Sequence, residues 1–164
     1  MDKVIEKEQV LVNLLFFGNT PIGFFDGAAK CDMSGIGVFI KIDRFHCYKA
    51  HMAIGSGTNI RAELLAFWAV LFQCKKLDLV DVHIAGDSKV VIDWYNQKAD
   101  LQVMNLQLWK DRIKELGLSF TSIQIFHIHR QFNSVADVLS KEGLSSDVGL
   151  LKVEEFNEEE KLSS

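Results

Sequence analysis

The sequence predicts one α/β domain: a mixed five-stranded sheet with three antiparallel strands first, parallel strands after them, and helices on both faces. Two observations carry this prediction. Short apolar runs typical of strands fill residues 22–54, 79–85 and 122–129, and a long apolar run at helical period separates the first group from the rest. With 164 residues, 48% of them apolar, the chain is large enough for one hydrophobic core.

The three antiparallel strands are predicted from punctuated apolar runs. A turn signal, Gly-Asn-Thr-Pro, precedes a strand at residues 22–26, and strands at 35–42 and 45–54 follow, joined by Asp43 and Arg44. Residues 59–76 then form a helix capped by Thr58 or Asn59. The remaining elements are a strand at 79–85, a helix at 89–96, a loop at 97–103 and a helix at 105–116 ended by Gly117. They are followed by a strand at 122–129 and a helix at 135–142 that is capped by Asn133 or Ser134.

The ends of the chain differ in composition from the rest. We expect residues 1–19 to be a partly mobile N-terminal extension, 20–145 the domain, and 146–164 a disordered acidic tail. The net charge is −4, of which residues 1–9 contribute −1 and 152–164 contribute −3, so the remainder is neutral. Because nucleic-acid binders usually carry a basic excess, this balance argues mildly against tight, unassisted duplex binding.

The lack of a recognisable secretory signal and the pattern of cysteines favour an intracellular protein. Residues 10–17 are apolar but too short to span a bilayer, and we identify no secretory or transmembrane segment. Three cysteines without metal-ligand spacing fit a reducing compartment. We therefore expect a nuclear or cytoplasmic protein with no membrane partner.

Four carboxylates stand out by their positions. Asp26 ends the first strand, Glu63 is the one charge between Arg61 and Lys75 in an apolar helix, Asp87 ends the fourth strand, and Asp137 opens the last helix. Ligands of open α/β sheets collect at the carboxyl ends of parallel strands, so these side chains can converge. Carboxylates that share a pocket repel each other, and Mg²⁺, which prefers oxygen ligands, relieves that repulsion. Two such ions would support phosphodiester cleavage.

Each carboxylate also has a plain structural explanation. Asp26 before glycine is typical of a turn, and Asp87 is typical of a helix cap. Asp137 can complement its helix dipole, and Glu63 can pair with Arg61 or cap its helix. These explanations stay open for each residue alone, but the order and local contexts of the four favour a shared site.

Four blocks, in this order, resemble those of a type 1 ribonuclease H domain. They are Asp-Gly-Ala at 26–28, Thr-Asn-Ile-Arg-Ala-Glu-Leu at 58–64, Gly-Asp-Ser-Lys-Val-Val at 86–91 and Asn-Ser-Val-Ala-Asp-Val-Leu-Ser at 133–140. The sequence is most similar to the plant reverse-transcriptase-like branch, found in non-LTR retroelements and in genes derived from them. The resemblance covers about residues 20–145 and implies the ribonuclease H-like fold.

The resemblance implies a metal-dependent endonuclease that cuts the RNA strand of RNA/DNA hybrids. It implies Mg²⁺, with Mn²⁺ as a substitute, and two ions in the site. Asp26 would bridge both ions, Glu63 and Asp87 would hold one of them, and Asp137 the other. Glu63 would also lie near a ribose 2′-hydroxyl, which distinguishes RNA from DNA. We expect a monomer.

The same resemblance places substrate contacts at Gly27, Thr58 and Asn59. Many family members have a histidine on the loop before the last carboxylate, which assists product release. Here that loop is short, and His129 is the nearest candidate, with His127 next. Strand alternation would put both on one strand face, which favours a structural histidine over an auxiliary one.

Two further departures predict weak binding by the isolated domain. Ile60 stands where the family often has a second asparagine, so one polar substrate contact is missing. Residues 97–103 carry Lys98 balanced by Asp100 and lack the basic helical extension with which many members grip the hybrid. A fused or associated nucleic-acid-binding domain would supply that grip.

Two other functions remain open from the sequence. A domain derived from a retroelement can keep the fold as a nucleic-acid or protein interaction module with little or no activity; the neutral charge favours this and the four carboxylates oppose it. An exonuclease of the wider ribonuclease H-like superfamily fits the Asp-Gly opening and the Arg61–Leu64 block poorly.

Overall fold

The computed structural model describes residues 18–157, so the predictions for residues 1–17 and 158–164 lie outside the described residues. The strands are β1 Ile22–Lys30, β2 Met33–Lys41, β3 His46–Gly55, β4 Asp81–Gly86, β5 Ser122–His127 and β6 Lys152–Asn157. The helices are α1 Asn59–Lys76, α2 Lys89–Tyr95, α3 Gln107–Leu118 and α4 Ser134–Gly143, and a 3₁₀ turn spans Arg130–Phe132. Within these residues, no helix combines the length and hydrophobicity needed to cross a membrane.

One mixed sheet contains the described strands in the order β5-β4-β1-β2-β3-β6. The neighbours β1–β2 and β2–β3 are antiparallel, whereas β4 is parallel to β1 and β5 is parallel to β4. The predicted mixed α/β sheet is therefore confirmed, with a sixth strand added. The strand β1 has a parallel neighbour on one side and an antiparallel neighbour on the other, which is where open sheets bind ligands.

Helices cover both faces of the sheet, as predicted. On one face α1 packs on β1 and β2, and the Phe25 ring stacks on Phe67 with centroids 4.8 Å apart. Here α3 packs against α1 through an edge-on contact of Trp68 with Trp109. On the other face α4 packs on β2, next to a smaller apolar cluster that contains Phe24. Alternation along β1 therefore sends neighbouring side chains to different cores.

Most elements begin or end a few residues away from their predicted bounds, and three of these differences have a structural explanation. The strand β1 continues past Asp26 to Lys30, because Gly27 through Lys30 pair with β2 in a tight hairpin. The helix α3 continues past Gly117, where the missing side chain makes room for the Tyr95 hydroxyl. The strand β5 ends at His127, two residues before the predicted end.

The prediction of a disordered tail over 146–164 is wrong for residues 152–157, which form β6 along the free edge of β3. Its glutamates meet polar or basic partners. Glu154 lies opposite Lys49, and Glu155 accepts hydrogen bonds from the Tyr48 hydroxyl at 2.5 Å and from His46 Nε2 at 2.7 Å. These cross-strand partners offset the acidic composition that predicted disorder.

Candidate active site

The centre of the site is Asp26, which lies on β1 at the point where its parallel neighbour ends. The last β1–β4 pair is Phe25 with Gly86, so the next residue on each strand is a carboxylate, Asp26 or Asp87. Parallel strands bring their carboxyl ends to the same edge, and this register places the two side chains side by side. Asp26 is 5% exposed, so the residue as a whole is buried.

Two glycines bring the flanking helices close enough to reach Asp26. A Cβ on Gly27 would lie 2.4 Å from the Ala62 carbonyl carbon, so only glycine lets the first turn of α1 rest on β1. Gly37 lies opposite Asp26 on β2 and lets α4 pack equally close to the sheet. A Cβ on Gly37 would lie 2.4 Å from the Ala136 carbonyl oxygen. Glu63 and Asp137 follow these contact points directly.

The carboxylates of Asp26, Glu63 and Asp87 converge, with one ligand atom of each lying within 4.8 Å of the others. Asp137 lies beside them and interacts with the Asp26 side chain, while its own Oδ2 accepts from Lys141 Nζ at 3.1 Å. All four predicted carboxylates line one open cleft. The other residues that line it are Gly27, Ala28, Ala29, Asn59, Arg130 and Lys141.

Burial and mutual repulsion make the charged forms of this cluster costly. Burial raises the pKa of Asp26 to about 7; a hydrogen bond with Glu63 lowers it, and the negative charges of Asp87 and Asp137 add to the rise. Burial, followed by the charge of Asp26, holds the pKa of Glu63 well above its usual range. The metal-free cluster therefore retains protons near neutral pH.

One oxygen of the cluster is left without a hydrogen-bond partner in the described part of the chain, which is compatible with a cation ligand. Glu63 Oε2 is buried and has no hydrogen-bond partner among the described residues. The salt bridge considered for Glu63 does not form, because the Arg61 guanidinium donates to the carbonyls of Ile54 and Ser56 instead. A buried carboxylate oxygen without a donor, beside two other carboxylates, is a suitable ligand set for a hard divalent cation.

The family follows from comparison with known proteins. The profile of the family described as reverse transcriptase-like matches residues 24–143, most of the chain. The chain belongs to the reverse transcriptase-like family. Ribonuclease HI of Halobacterium salinarum is 29% identical over 124 residues, covering 74% of this chain and 62% of that protein. This reverse transcriptase-like chain thus spans less than two thirds of that curated relative.

Solved structures support the same assignment. The crystal structure of ribonuclease H1 from Halobacterium salinarum matches with a TM-score of 0.72 and 26% identity, over 76% of this chain and 97% of that chain. LC11 ribonuclease H1, isolated from compost and solved with an RNA/DNA hybrid, matches with a TM-score of 0.70 and 23% identity, over 76% and 96%, which shows the shared fold. The predicted type 1 ribonuclease H domain is confirmed, whereas the plant branch stays a prediction.

In this reverse transcriptase-like domain the predicted substrate residues fall in different surroundings. Asn59 and Gly27 line the cleft. Thr58 does not line it; its Oγ1 accepts from the Arg61 N–H at 3.1 Å and caps α1. The roles of these three residues in substrate binding stay predictions.

The prediction for the two histidines is wrong in one respect. His127 ends β5, but His129 lies beyond the strand, immediately before the 3₁₀ turn. There His129 is exposed and accepts from the Gln131 N–H through Nδ1 at 3.2 Å, capping the 3₁₀ turn. It therefore does not share a strand face with His127, and it does not line the cleft.

Sequence reasoning missed three residues of the site. Arg130 and Lys141 bring positive charge to the cleft, and Asn133 donates from Nδ2 to Asp87 Oδ2 at 3.0 Å. Asn133 was predicted as a helix cap, yet its side chain makes no capping bond. The available signal was position: Arg130 and Asn133 flank the turn that leads to Asp137.

Proposed function

We propose that this chain is a divalent-cation-dependent endonuclease that hydrolyses the RNA strand of RNA/DNA hybrids. The observation that carries the proposal is the convergence of Asp26, Glu63 and Asp87 within 4.8 Å, with one buried carboxylate oxygen unpartnered. Membership of the family and the likeness to ribonucleases H, one of them solved with a hybrid, support the substrate class.

Two Mg²⁺ ions, or Mn²⁺ in their place, would be held by Asp26, Glu63, Asp87 and Asp137. When bound, these ions supply an activated water and stabilisation of the leaving oxygen. Asp26 fits the shared position because it contacts both Glu63 and Asp137, which come from opposite faces of the sheet. Asp137 contacts Asp26 but lies outside the tight triad, which suits a ligand of the second ion.

The residues around the cluster divide the remaining tasks. Arg130 is exposed at the cleft and provides a cation for a substrate phosphate. Asn59 offers its amide at the start of α1, next to the turn that carries Glu63. Glu63 is fixed by an apolar helix whose other buried side chains pack on the sheet, and this packing holds the carboxylate in place although its Oε2 has no hydrogen-bond partner among the described residues.

Substrate affinity is expected to be low for the isolated domain. Residues 97–103 contain no helix. The ammonium groups of the nearby Lys110 and Lys114 donate hydrogen bonds to the backbone carbonyls of Leu101 and Tyr95. The segment between the charged ends is neutral overall, so it offers no basic excess to hold a hybrid. A fused or associated binding domain would raise the affinity.

The test uses a labelled RNA/DNA hybrid, with duplex RNA and duplex DNA as comparison substrates. Wild type in Mg²⁺ should cut the RNA strand, leaving 3′-hydroxyl and 5′-phosphate ends, and chelation or Asp87→Asn should abolish cutting. Asp81→Asn, an exposed aspartate at the other end of the same strand, is the matched control and should cut normally. Hybrid binding without Mg²⁺-dependent cleavage above the Asp87→Asn background would refute the enzyme and favour an interaction module.

A further inference from the structure

We propose that Asn133 is the positioning residue of the carboxylate cluster: its side-chain amide fixes Asp87 relative to Asp26 and thereby sets cation affinity. This inference rests on the proposed metal-dependent function and adds a residue that touches neither substrate nor cation. Asn133 is 1% exposed and begins the last helix, 46 residues from Asp87 in sequence.

The amide joins the ends of two strands. Asn133 Nδ2 donates to Asp87 Oδ2 at 3.0 Å and to the Phe25 carbonyl at 2.9 Å. Phe25 is the last residue of β1 to pair with β4, and Asp26 follows it. One NH₂ group therefore links β1 to the segment that follows β4. The link lies where the pairing of the two strands ends, next to Asp26 and Asp87.

The main chain of Asn133 is hydrogen-bonded to the residue that carries a third carboxylate, Asp137. Its carbonyl oxygen accepts from the Asp137 N–H at 3.0 Å as the first hydrogen bond of α4. The same residue thus contacts Asp87 by its side chain, Asp26 through the preceding Phe25 carbonyl, and Asp137 through the helix. A displacement of Asn133 would change the spacing of three of the four acidic groups.

The chemistry of the amide fixes its orientation. Both neighbours of Nδ2 are acceptors, a carboxylate and a carbonyl, so the reversed orientation would set Oδ1 against two oxygens. Oδ1 itself is buried without a partner among residues 18–157. An asparagine needed only to begin a helix would cap it with that oxygen, and this one does not. The donor side is therefore the part of the amide that the site uses.

Carboxylates that bind cations are usually hydrogen-bonded in turn, and loss of such a partner typically lowers metal affinity about 10- to 100-fold. The bond to Oδ2 fixes the plane of the Asp87 carboxylate and keeps it turned toward Asp26 and Glu63. Without it, Asp87 would swing away from a like-charged neighbour, because the metal-free cluster is repulsive.

The experiment is a Mg²⁺ titration followed by thermal unfolding, which reports binding without substrate turnover. Asn133→Leu removes the donor at similar size, and Asn133→Ser is a second, smaller variant in case the first does not fold. Each should shift the midpoint of the Mg²⁺-dependent rise in Tm about 10- to 100-fold upward. Ser134→Ala, at the exposed neighbouring position, should titrate as wild type.

A combined variant separates positioning from general stability. In the Asp87→Asn background, Asn133→Leu should cause a much smaller loss of Mg²⁺ affinity than in wild type, because only the bond to the Phe25 carbonyl is left to lose, although it can still lower Tm in chelator. An unchanged titration midpoint in Asn133→Leu and Asn133→Ser, or an equal loss in both backgrounds, would overturn the inference while leaving the proposed nuclease intact. A wild-type protein with no Mg²⁺ response would overturn the metal site and the role of Asn133 together.

Discussion

Raising the pH of the metal-free protein should destabilise it, because the buried cluster holds protons that the unfolded chain releases. Burial raises the pKa of Asp26 from 3.8 to about 7. A raised folded-state pKa gives stability that is complete below the unfolded pKa and is lost as the pH rises through the folded one. The loss should therefore fall between about pH 4 and pH 7, and Mg²⁺ should oppose it by neutralising the same carboxylates.

The magnitude follows from the linkage of one proton. Each pH unit inside the window changes the free energy of unfolding by about 1.4 kcal/mol, so moving from about pH 5 to pH 8 removes about 3 kcal/mol. For a protein of this size that corresponds to a fall in Tm of about 6–12 °C. The pKa of Glu63 is also raised, and Glu63 and Asp26 interact directly, so the two carboxyl groups titrate as a pair. We therefore count one proton for the pair and not one for each residue.

The assay is thermal unfolding from about pH 5 to pH 8 in chelator and in excess Mg²⁺. Asp26→Asn is the control, because its side chain stays neutral at every pH while groups outside the carboxylate cluster titrate as before. One of these is His83, whose pKa is lowered by burial and which acts in the opposite direction. The difference between wild type and Asp26→Asn isolates the cluster. If that difference does not change with pH in chelator, the protonated cluster is refuted.

Three further predictions follow. Glu63→Gln should leave Tm in chelator equal or higher at neutral pH, because it replaces a buried group that is costly to ionise with an amide that is neutral at every pH, and should reduce hybrid cleavage to background; a clear fall in Tm would contradict this. Gly37→Ala should lower the free energy of unfolding by about 1–3 kcal/mol in denaturant titration, since its Cβ meets helix backbone, whereas Gly57→Ala meets only the flexible Arg61 side chain and should cost less. Truncation after Leu151 removes β6 and bares the edge of β3, so calorimetry should give a lower Tm and size exclusion should show association; an unchanged monomer would show that β6 is dispensable.

The fold was predictable where short-range pattern decides it. Strand alternation, glycine breaks and one long apolar helix were enough for the antiparallel meander and the parallel βα units. Ends of elements were predicted less well: Ala28 and Ala29 give little alternation signal, so the continuation of β1 depends on hairpin pairing with β2. The stabilisation that a strand gains from pairing with its neighbour cannot be predicted from the sequence of that strand alone.

Non-local contacts explain the other errors. The β6 segment is acidic, and its strand depends on pairing with distant residues: Lys49 lies opposite Glu154, and Tyr48 and His46 lie 107 and 109 residues before their partner Glu155. Asn133 was expected as a cap because its neighbours begin a helix, yet its side chain bonds to Asp87. Local propensity predicts what a residue does for its own segment; the site arises where two segments end together.

The four carboxylates share one cleft because the backbone, more than the side chains, sets their spacing. Two helices approach β1–β2 from opposite faces, at Gly27 and Gly37, with no room for a methyl group in either contact. Asp26 lies between these contacts, one residue past the end of the β1–β4 pairing. Conservative changes in the apolar cores should therefore alter stability before they alter the cluster, whereas a single methyl group at either glycine should move Glu63 or Asp137 away from Asp26. Substitution of Gly27 or Gly37 is thus expected to change cation affinity more than substitution of the large apolar residues of the core.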